Sequence, residues 1–219
     1  MVNLLKIAPS TDPAPIGEEL ISYAKKLNTI ADFLHCDVMN KNFVGKDTID
    51  HTHVREIYLN TLLPLDVHLM VNEPKGIVKK YIDAGAMIVT VHYEAFENKN
   101  DLIKTLKFIR SHKALAGIAI NPDTEVIEIM PYLAYSDLVL VMSVKPGYSG
   151  QRFMEKTHLK VKKLKQIKDD YGASFFIEVD GGVNPDISKK LKINGADIIV
   201  SGSYIYNSED YATAIDELR

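Results

Sequence analysis

The stretch Phe33-Leu34-His35-Cys36-Asp37-Val38-Met39 carries the pattern that decides the fold. Side chains alternate between the two faces of a strand, so one face here carries a histidine, an aspartate and a methionine, and the other carries only Leu, Cys and Val. The same division recurs in Asp66-Val67-His68-Leu69-Met70 and in Ile177-Glu178-Val179-Asp180. Strands with one apolar and one functional face predict a sheet that packs helices on one side and lines a site on the other.

Eight strand-like apolar runs alternate with eight helical patterns along the chain. The runs start near Leu4, Asp32, Pro64, Met87, Leu115, Leu138, Ser174 and Asp197. The helical patterns cover roughly residues 17–29, 50–60, 74–84, 99–112, 124–132, 155–169, 186–194 and 209–218. Strict alternation predicts parallel strands joined by right-handed crossovers. We therefore expect an α/β protein, a single-domain (β/α)8 TIM barrel over residues 1–219. An open doubly wound sheet is disfavoured because no Gly-x-Gly-x-x-Gly follows the first strand.

Composition limits the classes of partner. The 219 residues carry a formal net charge of −3, which gives no support for a nucleic-acid partner or an anionic membrane. Cys36 is the single cysteine, which excludes an internal disulfide. It lies on the apolar face of its strand, so we expect a buried thiol. No N-terminal apolar segment resembles a signal peptide. We expect a cytoplasmic protein.

Four side chains of metal-ligand type lie on the polar face of their strands, near the strand ends. They are His35, Asp37, His68 and Asp180. We expect this face to point into the barrel. Inward residues near the carboxyl ends of barrel strands line the active site, and Ser10 ends the first strand in the same way. Two imidazoles and two carboxylates suit Zn²⁺, Fe²⁺, Mn²⁺ or Co²⁺, with zinc preferred on ligand type. Alone, each residue would read as a hydrogen-bonded core group, but together they favour metal-assisted acid/base chemistry. His92 has inward parity too and suits either a core or a site position.

Glycine-rich segments follow the last three predicted strands. They are Pro146-Gly147-Tyr148-Ser149-Gly150-Gln151, Asp180-Gly181-Gly182-Val183 and Ser201-Gly202-Ser203. Glycines let backbone N–H groups approach an anion, and the loops after strands seven and eight commonly hold a phosphate in this architecture. Three such loops at consecutive strand ends favour a phosphate site over ordinary turns.

These motifs resemble the ribulose-phosphate 3-epimerase family over nearly the whole chain. Further motifs that carry the resemblance are Ile7-Ala8-Pro9-Ser10, Met142-Ser143-Val144-Lys145 and Leu65-Asp66-Val67-His68-Leu69-Met70. The resemblance implies an isomerase that interconverts D-ribulose 5-phosphate and D-xylulose 5-phosphate in the pentose phosphate pathway, with one divalent metal ion. It also implies a homo-oligomer.

The resemblance implies a role for each matching residue. His35, Asp37, His68 and Asp180 would be the metal ligands, and Asp37 and Asp180 would also be the two acid/base groups. Ser10 and His68 would contact the substrate. The residues around the phosphate would be Gly147, Tyr148, Ser149, Gly150, Gly181, Gly182, Gly202 and Ser203. Met39, Met70 and Met142 would cap an enediolate intermediate with thioethers, besides filling the core.

Two segments depart from the family pattern. The usual Asp-Gly and Phe-Val-Pro-Asn after Met39 appear as Asn40-Lys41 and Phe43-Val44-Gly45-Lys46, and Thr11-Asp12-Pro13-Ala14-Pro15 is also unusual. A 3-epimerase of a ketohexose 6-phosphate, such as allulose 6-phosphate, is therefore an alternative. A catalytically silent phosphate-binding barrel is a further one. A carbon–carbon lyase is disfavoured, because such an enzyme would usually need a lysine that forms a Schiff base at the site. Lys145, at a strand end, is expected on the strand face opposite to that of Met142.

Overall fold

The computed structural model describes residues 4–148 and 150–219. Eight parallel strands form one sheet in the order β1-β8-β7-β6-β5-β4-β3-β2. Ser10 forms a bridge with His35, and the Thr11 N–H donates to His35 O at 2.8 Å, so the first strand also meets the second. The sheet is thereby nearly closed, and the prediction of a TIM barrel is confirmed. The strands are β1 Lys6–Pro9, β2 Leu34–Met39, β3 Leu65–Met70, β4 Ala86–His92, β5 Leu115–Ile120, β6 Leu138–Met142, β7 Phe176–Asp180 and β8 Ile198–Ser201.

Helices connect the strands on the outside of the barrel. Within the described residues they are α1 Glu18–Leu27, α2 Lys41–Val44, α3 His51–Asn60, α4 Val78–Ala84, α5 Lys99–Ser111, α6 Val126–Ile129, α7 Thr157–Tyr171, α8 Pro185–Asn194, α9 Ser203–Tyr206 and α10 Tyr211–Leu218. None of them is long and apolar enough to cross a membrane. The short helices α2 and α9 directly follow the carboxyl ends of β2 and β8.

Two predicted helices are each replaced by two shorter pieces. A 3₁₀ turn, Pro74–Gly76, precedes α4 where one helix over 74–84 was expected. A 3₁₀ segment, Met130–Tyr135, follows α6 where one helix over 124–132 was expected. Pro131 lacks the N–H that an α-helix needs at that point, which explains the early end of α6.

The core has two layers, as the alternation along the strands predicts. The outward residues Leu34, Cys36 and Val38 of β2 are buried against the helices. The inward apolar residues form a smaller cluster in the barrel interior, made of Ala8, Ile88, Ala119, Leu138, Leu140, Met142, Ile198 and Val200. Inward polar side chains lie beyond this cluster at the carboxyl ends of the strands. The barrel interior is therefore a packed floor beneath a polar mouth.

Candidate metal and substrate site

His35, Asp37, His68 and Asp180 converge at the barrel mouth. Each offers one ligand atom, and these atoms all lie within 4.8 Å of one another. Asp37 Oδ1 lies 3.4 Å from His35 Nε2 and 3.3 Å from His68 Nδ1. The parallel register of β2 and β3 pairs Asp37 with His68, which places these two side chains at the same height in the barrel. The four residues that the sequence singled out thus form one cluster.

Three buried polar atoms of this cluster have no hydrogen-bond partner among the described residues, which bears on whether the cluster suits a metal ion. His35 Nε2, Asp37 Oδ1 and His68 Nδ1 are buried and accept or donate no hydrogen bond within the described residues. A buried polar atom without a partner costs about 1–3 kcal/mol, so three that face one point indicate a missing common partner. Imidazole nitrogen and carboxylate oxygen are ligands that divalent transition metals accept. The donor set fits a divalent metal ion.

Nδ1 of His35, the nitrogen on the far side of the ring from Asp37, lies beside two buried acidic side chains. His35 Nδ1 lies 2.5 Å from Asp66 Oδ2, and Glu178 Oε1 lies 3.8 Å from the same nitrogen. Burial, together with the Asp66 carboxylate, raises the pKa of Glu178 well above its ordinary value. These surroundings favour the protonated form of Glu178. Asp66 and Glu178 were not among the predicted site residues, although both lie on the inward face of their strands beside His68 and Asp180.

The outer nitrogen of His68 is held by a histidine. His68 Nε2 lies 2.8 Å from His92 Nε2, and the two rings stack with centroids 4.9 Å apart. His92 Nδ1 lies 3.0 Å from Glu94 Oε2. His92 is fully buried at the end of β4, so its inward parity places it at the site. Glu94 follows the strand in a 3₁₀ turn, Tyr93–Ala95, and no pattern in the sequence indicated it.

Asp37 and Asp180 have opposite electrostatic surroundings. Burial raises the pKa of Asp37, but His35 and His68 outweigh burial and hold that pKa below its usual value. Burial and the Asp37 carboxylate raise the pKa of Asp180 to about 7. Burial also lowers the pKa of His68 to about 4, despite its contact with Asp37. Without a metal ion the cluster thus holds one ionised carboxylate beside one that is partly protonated near neutral pH, an arrangement typical of acid/base pairs.

A cleft of about 480 Å³ opens above the cluster. Ser10 lines it and donates a 2.6 Å hydrogen bond from its hydroxyl to Asp37 Oδ2. Most of the other residues expected at the substrate lie along the same cleft: Met39, Met70, Met142, Gly147, Tyr148, Gly150, Gly181, Gly182, Gly202 and Ser203. Ser149 lies outside the described residues. Five further residues that were not predicted at the site also line the cleft: Asp12, Val144, Lys145, Pro146 and Gln151.

Two glycines bring the loops after β6 and β7 into close contact. Gly182 has φ +59°, and a Cβ there would lie 2.4 Å from the carbonyl oxygen of Gln151. Gly181 has φ +115°, and a Cβ there would lie 2.5 Å from Val144 Cγ2. Any side chain would push these loops apart. Together with Gly202 and the start of α9, the glycines leave backbone rather than side chains facing this end of the cleft, as an anion site requires.

The two segments that depart from the family pattern contact each other at the edge of the cleft. Lys46 Nζ lies 2.8 Å from Asp12 Oδ1, and the Asp12 side chain is only 7% exposed. Lys46 Nζ also lies 5.5 Å from the ring centre of Tyr148. The segment 40–46 contains helix α2, which is capped at its N-terminus by Asn40, whose side chain accepts the Asn42 N–H. Both departures therefore belong to one contact that joins the loops after β1, β2 and β6.

Comparison with known proteins gives a consistent result. The model of the Ribulose-phosphate 3 epimerase family matches residues 6–206. The ribulose-phosphate 3-epimerase of Bacillus subtilis is 38% identical, over 99% of this chain and 99% of the relative. That of Synechocystis sp. is 38% identical, over 100% of this chain and 95% of the relative. A solved structure, KGPDC from Streptococcus mutans, has a TM-score of 0.72 at 16% identity, over 98% of this chain and 95% of that chain, and shares the fold.

Proposed function

The chain belongs to the ribulose-phosphate 3-epimerase family and is an isomerase, and on that premise we propose that it interconverts D-ribulose 5-phosphate and D-xylulose 5-phosphate by inversion at C3. One observation carries the proposal most directly. Asp37 and Asp180 line the same cleft with ligand atoms within 4.8 Å of each other, and their pKa values are displaced in opposite directions. Inversion needs a base on one face of the carbon and an acid on the other, and this pair meets that need.

His35, Asp37, His68 and Asp180 would hold one divalent metal ion. Their three unsatisfied buried atoms support this assignment. When bound, the ion would act as a Lewis acid that offsets negative charge developing on the substrate oxygens. Zinc is our preferred metal on ligand type, and Fe²⁺, Mn²⁺ and Co²⁺ suit the same donors.

The two aspartates would exchange roles with the direction of turnover. In one direction ionised Asp37 removes the C3 proton, and protonated Asp180 returns a proton to the opposite face of the resulting enediolate. In the reverse direction Asp180 is the base and Asp37 the acid, as microscopic reversibility requires. The Ser10 hydroxyl, donating to Asp37 Oδ2, orients the carboxylate and contacts the substrate.

The rest of the cleft would bind and shield the substrate. The glycine loops, with Tyr148, Ser149 and Ser203, would hold the phosphate at the β6, β7 and β8 end. Met39, Met70 and Met142 are buried beside the carboxylates and would cover the enediolate with side chains that cannot take its protons. A dry, non-basic cover limits loss of the intermediate to water.

The Lys46–Asp12 contact is the structural feature on which one alternative substrate rests. Because it lies at the edge of the cleft in the two segments that depart from the family pattern, it could change the length of sugar phosphate that fits. A 3-epimerase of a ketohexose 6-phosphate, such as allulose 6-phosphate, is the second candidate. A catalytically silent phosphate-binding barrel has less support, since such a protein would not need both aspartates together with both histidines.

We also propose a cytoplasmic location in the pentose phosphate pathway and a homo-oligomeric state. The buried thiol Cys36 fits a reducing compartment. The oligomer follows from family analogy alone, and light scattering on the purified protein would test it. We take residues 1–219 as a single catalytic domain, because the barrel needs all eight strands.

A side-by-side kinetic comparison tests the proposed reaction. Metal-loaded protein is incubated with D-ribulose 5-phosphate and, separately, with allulose 6-phosphate, and epimer formation is followed over time. We expect a higher kcat/KM with the pentulose phosphate, and loss of activity after chelation that one divalent metal restores. Preference for the ketohexose phosphate would move the assignment to the alternative. No turnover of either by the metal-loaded protein would overturn the enzyme proposal.

A further inference from the structure

We propose that Glu94 acts through His92 to hold His68 in one tautomer, with its proton on Nε2 and the lone pair of Nδ1 facing the metal site. Glu94 and His92 are positioning residues here, and neither would touch the metal or the substrate. The inference rests on the metal site of the proposed function.

Glu94 can only accept hydrogen bonds in its present surroundings. Its Oε1 accepts the Asn121 N–H at 2.8 Å and the Thr124 hydroxyl. Burial raises the pKa of Glu94, but hydrogen bonds from His92 and Thr124 outweigh burial and lower it to about 2. The side chain is thus a carboxylate at neutral pH, and a carboxylate has no proton to donate. Its second oxygen, Oε2, faces His92 Nδ1 at 3.0 Å.

The direction of each following hydrogen bond then follows from the one before. Because Glu94 accepts, His92 must donate from Nδ1. A neutral imidazole with its proton on Nδ1 has an acceptor at Nε2, and the partner there is His68 Nε2 at 2.8 Å. With His92 in its neutral form, His68 therefore donates from Nε2. Its Nδ1 is left without a proton and points toward Asp37 Oδ1, 3.3 Å away, at the metal cluster.

The Glu94–His92–His68 relay is buried at its two imidazoles, while the side chain of Glu94 is 23% exposed. His68 and His92 are both fully buried. Their rings stack on one side, and the ring of Phe43, from α2, packs on His92 with centroids 5.1 Å apart. Glu94 is fixed at its other end by the backbone of Asn121 and by Thr124, after β5. Three successive strand ends thereby set the proton position on one ligand.

The two imidazole ligands are supported in different ways. His35 contacts a carboxylate, Asp66, directly at 2.5 Å, whereas His68 reaches its carboxylate only through a second imidazole. Partners that orient a metal-bound histidine change metal affinity by about 10–100-fold when altered. A change at Glu94 should therefore affect His68 and leave the proton position on His35 as it is.

Glu94→Gln gives the sharpest test because it keeps the shape and reverses the polarity. The amide oxygen must stay with the two donors, Asn121 N–H and Thr124, which leaves the NH₂ group facing His92 Nδ1. His92 would then accept at Nδ1 and donate from Nε2, and His68 would carry its proton on Nδ1, where a metal ligand needs a lone pair. Glu97→Gln, an exposed position three residues further on, is the matched control.

Two readouts are taken, neither of which is activity. Long-range ¹H–¹⁵N NMR of the metal-free protein reports which nitrogen of His68 carries the proton, and calorimetry reports the affinity for Zn²⁺ and Co²⁺. We expect the Nε2–H tautomer in the wild type and in Glu97→Gln. In Glu94→Gln we expect the Nδ1–H tautomer and an affinity lower by about 10–100-fold.

Several results would overturn the relay. One is a wild-type His68 with its proton on Nδ1, a result that needs no variant to fold. Another is a folded Glu94→Gln protein with the wild-type tautomer and affinity. A wild-type protein that binds neither Zn²⁺ nor Co²⁺ would instead contradict the proposed metal site, while the NMR measurement would still decide the tautomer.

Discussion

The Ser10 hydroxyl donates a 2.6 Å hydrogen bond to Asp37 Oδ2, while Oδ1 of the same carboxylate faces His35 and His68. The two oxygens of Asp37 thus have separate surroundings, one on the metal-ligand side and one toward the cleft. Ser10, directly after β1, is held in place by its bridge to His35 in β2. The hydrogen bond therefore links closure of the barrel to the orientation of a carboxylate that we propose is catalytic.

Ser10→Ala should reduce catalysis without unfolding the protein. A hydrogen bond to a charged group contributes about 1.5–3 kcal/mol, so we expect kcat/KM to fall about 10- to 100-fold. Steady-state kinetics, with thermal unfolding measured alongside, checks this. Ser22→Ala, at an exposed position in α1, is the control. Wild-type kinetics in Ser10→Ala would show that the hydrogen bond does not orient Asp37.

Asp37→Asn and Asp180→Asn should each reduce kcat by about 10²–10⁴-fold, the usual contribution of a positioned acid or base. An amide oxygen can still contact a metal, so metal-saturated variants isolate the loss of proton transfer. If each aspartate serves one face, each variant should still exchange the C3 proton of one epimer with solvent and not that of the other. Exchange from both epimers in a single variant would contradict the two-base assignment.

Lys46→Ala should weaken substrate binding at the edge of the cleft. The change leaves the Asp12 carboxylate, which lines the cleft, without its 2.8 Å cation. Lys46 is itself 31% exposed, so the pair contributes only about 0.5–1 kcal/mol, and we expect KM to rise about two- to five-fold. Adding Asp12→Asn removes the unpaired charge and should restore much of the KM. Lys41→Ala, at an exposed position in the neighbouring helix α2, is the control, and an equal rise there would contradict the account.

Asp50 should make stability depend on pH. Burial raises its pKa, but hydrogen bonds from Thr52 and His53 at the start of α3 outweigh burial and hold the pKa below its usual range. Its stabilisation is therefore present above the unfolded pKa of about 3.9 and is lost as pH falls through the folded pKa. Because the side chain is half exposed, we expect Asp50→Ala to lower the free energy of unfolding by about 0.5–1 kcal/mol at pH 7, with a smaller difference at pH 3. Urea unfolding at both pH values measures this, and an equal difference at both would contradict the account.

Side-chain parity along the strands made most of the site predictable. In β2 and β3 the alternation alone placed His35, Asp37 and His68 on the inner face, and the parallel register then brought Asp37 and His68 to one height. The same rule, applied to every inward polar residue, would also have indicated Asp66 and Glu178. The inward placement of Asp66 and Glu178 follows from the alternation of side chains along a strand, which a single sequence displays directly.

The contacts that escaped prediction join loops far apart in the sequence. Glu94 accepts hydrogen bonds from Asn121 and Thr124. Lys46 pairs with Asp12, which lies 34 positions earlier in the chain. Loops have no period that fixes the direction of a side chain, so their partners depend on the closed barrel. The departures near Lys46 and Asp12 were visible as unusual sequence, but only the fold shows that they contact each other.

Proton NMR in D₂O tests the central claim most directly. D-Ribulose 5-phosphate is added to the metal-loaded protein, and the C3 signals of both pentulose phosphates are followed from the earliest conversion. The two-aspartate account predicts that xylulose 5-phosphate appears with deuterium at C3, because the acid on the opposite face has exchanged with solvent. Xylulose 5-phosphate that retains its original proton at C3 would contradict that account.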